Sequence, residues 1–202
     1  MKEFDYRMKI IAATNNKGKI AEIGAILGSL GHEIVNLKEM GITIDVEETG
    51  TTFEENALIK ARAVFEMTGL SVLADDSGLC VDALGGAPGV YSARYAGEGA
   101  SDEMLVEKLL KNMQGVEKEK RGAHFVSVVA LIMPDGRELV AKGVADGYIT
   151  DAPMGEGGFG YDPVFCSTET GKTYASMTSE EKNMISHRYR ALVNLKQKLE
   201  QI

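Results

Sequence analysis

The sequence predicts an α/β fold in which a mixed β-sheet is flanked by helices. In the first half, short apolar runs alternate with segments of helical periodicity, the pattern of strands joined by crossover helices. In the second half, Ala123 to Met133 alternates well enough for a long strand. It breaks at Pro134-Asp135-Gly136 and resumes from Glu138 to Gly147, which reads as an antiparallel hairpin. Early crossovers and a later hairpin make the sheet mixed rather than purely parallel.

The elements follow in order. Lys9 to Ala13 is a short buried strand that runs into the polar turn Thr14-Asn15-Asn16-Lys17-Gly18-Lys19. A helix follows, with Ile20, Ile23, Ile26, Leu27 and Leu30 on one face and Gly31 as its C-cap. Strand, Gly/Lys turn, helix is an arrangement that points backbone N–H groups and a helix N-terminus at an anion. A strand is expected around His32 to Leu37 and a second helix from about Thr52, opened by a capping box of Thr51 with Glu54 or Thr52 with Glu55. Phe53, Ala57, Ala61 and Val64 form its apolar stripe, and Asn56 and Lys60 lie one turn apart on a neighbouring face. Ser71 to Ala74 reads as a strand ending in an acidic turn, and Ser101 opens a third helix with Asp102 and Glu103 at its positive end.

Near the C-terminus, Gly155 to Asp162 is a glycine-dense loop with two aromatics, followed by Thr178 to Arg190. As one unbroken helix, that last segment would put Lys182 and Ser186 on one face. His187 and Arg188 would project more than about 100° away, at roughly 100° per residue. If these basic groups serve one site, the chain must break between them. Ser186 is then the N-cap of a final helix whose stripe is Leu192, Leu195 and Leu199.

At 202 residues the chain is long enough for one sizeable core or one domain with two lobes. Its 44% hydrophobic and 26% charged content is ordinary for a soluble enzyme. No run approaches the roughly 20 apolar residues of a membrane span, and the N-terminus lacks a secretory apolar region, so a cytoplasmic protein is expected. Cys80 and Cys166 have no metal-ligand spacing and read as reduced, packed thiols. A net charge of −8 argues against nucleic-acid binding and would repel a polyphosphate at long range. Local lysines, arginines and a divalent cation would have to overcome that field.

The segment Val72 to Arg94 carries the most chemistry. An apolar run ends in Asp75 and Asp76, followed by Ser77 and Gly78, then by a second Gly/Pro-rich turn reaching Tyr91 and Arg94. Carboxylates at the end of a buried strand are costly unless cations or donors compensate them. The simplest cation for an all-oxygen site is magnesium, bound through one or two carboxylates plus substrate phosphates. Taken alone, Asp-Ser-Gly reads equally well as a turn capping a strand.

Together these pieces resemble the Ham1/inosine-triphosphate pyrophosphatase family. The family motifs stand here as Thr14-Asn15-Asn16-Lys17-Gly18-Lys19, Glu47-Glu48-Thr49-Gly50, Ala74-Asp75-Asp76-Ser77-Gly78 and Leu84-Gly85-Gly86-Ala87-Pro88-Gly89. They continue as Tyr91-Ser92-Ala93-Arg94, Gly158-Phe159-Gly160-Tyr161-Asp162-Pro163, and Glu181-Lys182 with Ser186-His187-Arg188. They occur in order across the chain from Met8 onward. Family members start close to the first strand, so residues 1–7 read as an N-terminal extension and 8–202 as a single domain. The resemblance implies an elongated α/β fold with two lobes around a central nucleotide-binding cleft, usually as a homodimer. It implies hydrolysis of ITP, dITP and XTP to the monophosphate and pyrophosphate with magnesium, without nucleic acid or membrane as partner.

Cleavage between the α- and β-phosphates needs charge neutralisation, a positioned water and cations on the leaving pyrophosphate. By resemblance, Asp76 binds the metal and orients or deprotonates the water, and Glu47 supplies another metal contact. Asp75 and Glu48 compete for these roles, and the sequence leaves the choice within each pair open. Lys19 and the turn amides before it would hold phosphate without a Walker A loop, which is absent. Lys60 and Lys182 would add positive charge, and Ser77 would donate to phosphate or cap the turn. Either lysine taken alone reads better as part of a solvated helix face.

Base recognition is expected from the Phe159-Gly160-Tyr161-Asp162 loop with His187 and Arg188. Phe159 would stack on a purine and Asp162 would accept from a ring N–H. Donors from His187 and Arg188 suit the six-position carbonyl of hypoxanthine and xanthine. Adenine's amino group would meet other donors, a mismatch of about 1–3 kcal/mol for each unpaired buried group. The same donors would accept guanine, so exclusion of GTP needs a further feature. His32 and His124 fall outside the motifs and read as structural or surface residues. The competing readings are a pyrophosphatase for pyrimidine or other modified nucleotides, a non-catalytic nucleotide-binding module, and a P-loop-like phosphotransferase disfavoured by the missing motif.

Overall fold

A six-stranded sheet in the order β2-β1-β3-β4-β5-β6 organises the chain. The computed structural model describes residues 8–28 and 31–201, so the extension expected at 1–7 and Leu30 lie outside the described residues. The strands are β1 (Lys9–Ala12), β2 (Glu33–Asn36), β3 (Ser71–Val81), β4 (Gly122–Ile132), β5 (Glu138–Ile149) and β6 (Phe165–Ser167). The helices are α1 (Lys17–Gly28), α2 (Phe53–Thr68), α3 (Asp102–Asn112), α4 (Ser179–Ile185) and α5 (His187–Leu199).

β1 runs parallel to both neighbours, with Ile10 opposite Ile34 of β2 and Ser71 of β3. The three residues of β1 after Lys9 are apolar and buried, as a strand paired on both edges and covered on both faces requires. β4 and β5 are sheet neighbours joined through a tight turn at Pro134–Gly136, where Gly136 N–H donates to Met133 O at 2.8 Å. β6 pairs antiparallel with β5. The mixed sheet flanked by helices is as expected.

The chain forms two compact units. The first comprises residues up to Asp76, Val128–Lys142 and Ala191 onward. Among its buried residues are Ile10, Ile11, Ile23, Ala57, Ala61, Val64, Leu73 and Leu131. The second comprises Ser77–Ser127 and Gly143–Arg190. Its core joins Leu79, Leu105, Val106, Leu109, Phe125, Tyr161, Phe165 and Tyr174.

One expectation fails in an informative way. Asp75, Asp76, Ser77 and Gly78 do not form a turn; β3 continues through them to Val81, and both aspartates are buried. Aspartate is a poor strand former, so periodicity alone stops the strand at Ala74. The cations and donors described below are what make a buried acidic strand tenable. Smaller shifts occur at α1, which begins at Lys17 rather than after Lys19, and at β5, which extends to Ile149.

Other local signals hold. Thr52 with Glu55 forms the capping box of α2, and Ser101 caps α3 by accepting from Met104 N–H at 3.3 Å. The predicted break stands at Ser186, whose extended φ −68°, ψ 154° separates α4 from α5. Its hydroxyl accepts from Tyr189 N–H at 3.1 Å, as an N-cap should.

Candidate active site

The first unit gathers the acidic residues with lysines. Consecutive strand residues point to opposite faces, so Asp75 and Asp76 meet different helices. Lys19 of α1 reaches Asp75 Oδ2 at 2.8 Å, and the Asp75 side chain is 0% exposed. Lys60 of α2 stands between Asp76 Oδ1 at 3.1 Å and Glu48 Oε1 at 2.9 Å. Asn56, one turn before Lys60 and fully buried, donates from Nδ2 to Asp76 Oδ2 at 3.3 Å. Its own Oδ1 accepts from Gly50 N–H at 2.8 Å. A Cβ on Gly50 would lie 2.6 Å from that oxygen, so the approach requires glycine.

Burial pushes the Asp76 carboxyl above its usual range, against the opposing pull of Lys60 and Lys19, and the Glu48 charge adds to the rise. Burial also disfavours the Lys60 ammonium, but the carboxylates of Asp76, Glu48 and Asp75 outweigh it and raise its pKa. The sequence placed Lys60 beside Asn56 but gave Asn56 no role. Its place one helical turn after the Thr52 cap and one turn before Lys60 was the available signal.

The polar turn is shaped by its own side chains. Thr14 Oγ1 accepts from Asn16 N–H at 3.2 Å, and Asn16 Oδ1 accepts from Lys19 N–H at 3.0 Å. Asn16 therefore caps α1, leaving Asn15, Asn16 and Lys17 at the surface and Gly18 half-buried. Glu47 is exposed, and its neighbour Glu48 is the one tied to Lys60. Among the described residues no group of three His, Cys, Asp or Glu side chains converges as a preformed metal cage. The oxygens of Asp76, Glu47 and Glu48 are nevertheless the donor type of a hard cation that takes one or two carboxylates and completes its shell with phosphate and water.

The second unit gathers the residues of the glycine-rich loop and the helix break. Asp162 Oδ2 accepts from Phe159 N–H at 2.9 Å and from Lys182 Nζ at 2.6 Å. The Lys182 ammonium also lies over the Phe159 ring, 4.4 Å from its centroid. Lys182 is buried, so the solvated-face reading fails, and its ammonium is paired with Asp162. Asp162, expected to accept from a purine ring, also braces its own loop.

His187 and Arg188, the first residues of α5, are both buried. The His187 ring stacks on Phe125 of β4 at 4.7 Å and 11°. Arg188 donates from Nη2 to Ser77 Oγ at 3.0 Å. Tyr161 points into the core, where its hydroxyl donates to Ser92 O at 2.8 Å. Ser92 in turn accepts from Leu79 N–H at 2.9 Å, which explains the Tyr-Ser-Ala-Arg segment as a structural support for β3. His32 and His124 lie with neither cluster: His124 sits 4.0 Å from Asp82, and His32 accepts from Met8 N–H at 3.5 Å.

The model of the Ham1 family matches residues 10–198, a span that includes every motif named above. The chain belongs to the Ham1 family. It is 50% identical over 193 residues to the dITP/XTP pyrophosphatase of Bacillus licheniformis, covering 96% of this chain and 98% of that one. Among solved structures, the Staphylococcus aureus Ham1 protein is similar with a TM-score of 0.85 at 44% identity, covering 96% of this chain and 98% of that one. A HAM1 protein from Coxiella burnetii gives 0.86 at 41% identity, covering 96% of this chain and 100% of that one. Both fold likenesses extend over this Ham1-family chain almost end to end.

Proposed function

We propose that this chain hydrolyses non-standard purine nucleoside triphosphates, ITP, dITP and XTP, to the nucleoside monophosphate and pyrophosphate. The observation that carries the reading is the strand β3, which holds Asp75 and Asp76 buried with a lysine on each. Family membership and the naming of its relatives as dITP/XTP pyrophosphatases supply the substrate class.

Asp76 is the proposed base. Asp75 is sealed in the interior by Lys19, whereas Asp76 keeps an exposed edge, 7% of its side chain, and a raised pKa. A carboxyl tuned upward is better matched to taking a proton from water near neutral pH. Asn56 and Lys60 fix both of its oxygens in place. The proposed metal is magnesium, held by Asp76 and Glu47. Glu48 is engaged by Lys60, which leaves the exposed Glu47 as the acid available to a cation. When bound, such an ion neutralises phosphate charge and lowers the pKa of water.

Thr14, Asn15, Asn16, Lys17, Gly18 and Lys19 are proposed to hold phosphate through the amides at the α1 N-terminus and through lysine charge. Lys60 and Ser77 would assist them. Phe159 offers its ring for stacking on the purine, with Lys182 covering one face. Gly160, Tyr161 and Asp162 keep that ring in position. His187 and Arg188 supply the donors that favour a six-position carbonyl over an amino group. No described helix is long and apolar enough to cross a membrane. A cytoplasmic homodimer that binds neither nucleic acid nor membrane completes the reading by resemblance.

The test is product analysis with magnesium and a panel of ITP, XTP, ATP, GTP and dTTP. The expected result is pyrophosphate with IMP or XMP, and little product from ATP or GTP. Orthophosphate release or a preference for dTTP would overturn it.

A further inference from the structure

We infer that Asp102 is a positioning residue for the loop that carries Phe159; the inference rests on the proposed nucleotide reading. The segment 154–163 is held along one side by backbone bonds. Gly157 N–H donates to Ala175 O at 3.0 Å, Ala175 N–H to Asp162 O at 3.1 Å, and Met154 N–H to Pro163 O at 2.8 Å. At the tip the attachment is different. Gly160 N–H donates to the Asp102 carboxylate at 2.8 Å, a bond between residues 58 apart in sequence.

The acceptor stands on a packed helix, whereas the donor lies in a glycine-rich turn between Phe159, held by Asp162, and the buried Tyr161. Asp102 is the first residue of α3, whose Leu105, Val106 and Leu109 are buried in the same core as Tyr161. Gly160 belongs to a run with Gly157 and Gly158, and Gly158 and Gly160 take φ of 75° and 61°. Such a run has many alternative conformations once released. A cavity of about 350 Å³, lined by Asp102, Val106, Glu156, Phe159, Gly160 and Pro163 among others, gives a released tip room to move. Asp102 therefore fixes where Phe159 presents its ring.

A simpler role for Asp102 is a negative charge at the positive end of α3, but Glu103 beside it serves that role equally. This separates the two explanations. Asp102→Ala is expected to raise KM for ITP about threefold to tenfold, the range for loss of one net hydrogen bond. Its kcat should stay within about twofold, as expected when uniform binding is lost. Hydrogen exchange of the Gly160 amide, read by NMR, should accelerate in parallel. Asp102→Asn keeps an acceptor oxygen and should restore both readouts, while Glu103→Gln should move neither. A wild-type KM in Asp102→Ala, or an equal KM rise in Glu103→Gln, would overturn the positioning role. Absence of ITP turnover by the wild type would instead sink the nucleotide reading and this role with it.

Discussion

Lys182→Met removes the cation from a pair whose side chains are only 6% and 4% exposed, at 2.6 Å. At that separation the attraction is about 6 kcal/mol for an effective dielectric of about 20. The desolvation of both groups offsets much of it. Removing one partner nevertheless leaves the other buried without that cation, and buried pairs broken this way lose about 3–5 kcal/mol. Asp162 keeps the Phe159 N–H at 2.9 Å, which places this case at the lower end, about 3 kcal/mol. Urea unfolding followed by far-ultraviolet circular dichroism should show a lower midpoint with an unchanged slope. The double variant Asp162→Asn/Lys182→Met removes the buried carboxylate charge as well and should regain at least about 1 kcal/mol. A single variant within about 1 kcal/mol of wild type, or a double variant less stable than the single, would refute the argument.

Asp76→Asn should lower ITP turnover by at least about a hundredfold, the lower range for loss of a general base, with the unfolding transition retained. Near-normal turnover would remove Asp76 from that role. Arg188→Met keeps the buried volume but loses the donors, so the ratio of kcat/KM for ITP over ATP should fall more than turnover itself; an unchanged ratio would locate base reading elsewhere. The α2 capping box gives a pH signature. Donors from the backbone and hydroxyl of Thr51, then from Thr52, hold the Glu55 carboxyl below its ordinary value of 4.5. In that window the unfolded chain binds more protons than the native one, so stability rises with pH. The contribution is full above the ordinary value and is lost as pH falls through the depressed one. Glu55→Gln should remove this part of the acid-side slope in denaturation measured across that range, and an identical slope would count against the box.

Much of the fold was legible because it is written in short-range signals. The Pro134-Asp135-Gly136 turn, the Ser101 cap and the Thr52/Glu55 box each depend on a few neighbouring residues. The Ser186 break was legible by a different route, from the mismatch between helical angles and the shared chemistry of Lys182, His187 and Arg188. What stayed hidden depends on residues distant in sequence. Asp75 and Asp76 fit inside a strand only because Lys19, Lys60 and Asn56 arrive from other elements. Lys182 looks like a surface lysine until Asp162 and Phe159 close on it. Asp102 looks like a helix-end charge until Gly160 is found beside it.

The break at Ser186 also creates an electrical pole where an unbroken helix would have none. α5 starts with His187, Arg188 and Arg190 and has no acid in its first turn, and Arg190 is paired with Glu169 from outside the helix. Cations at a positive helix end are disfavoured, by roughly 0.3–1 kcal/mol each when exposed and by more when buried. The buried Arg188 guanidinium is therefore set against the peptide dipoles that follow it. One serine in an extended conformation thus sets a buried guanidinium at a positive helix end, a tension that an unbroken helix would not hold.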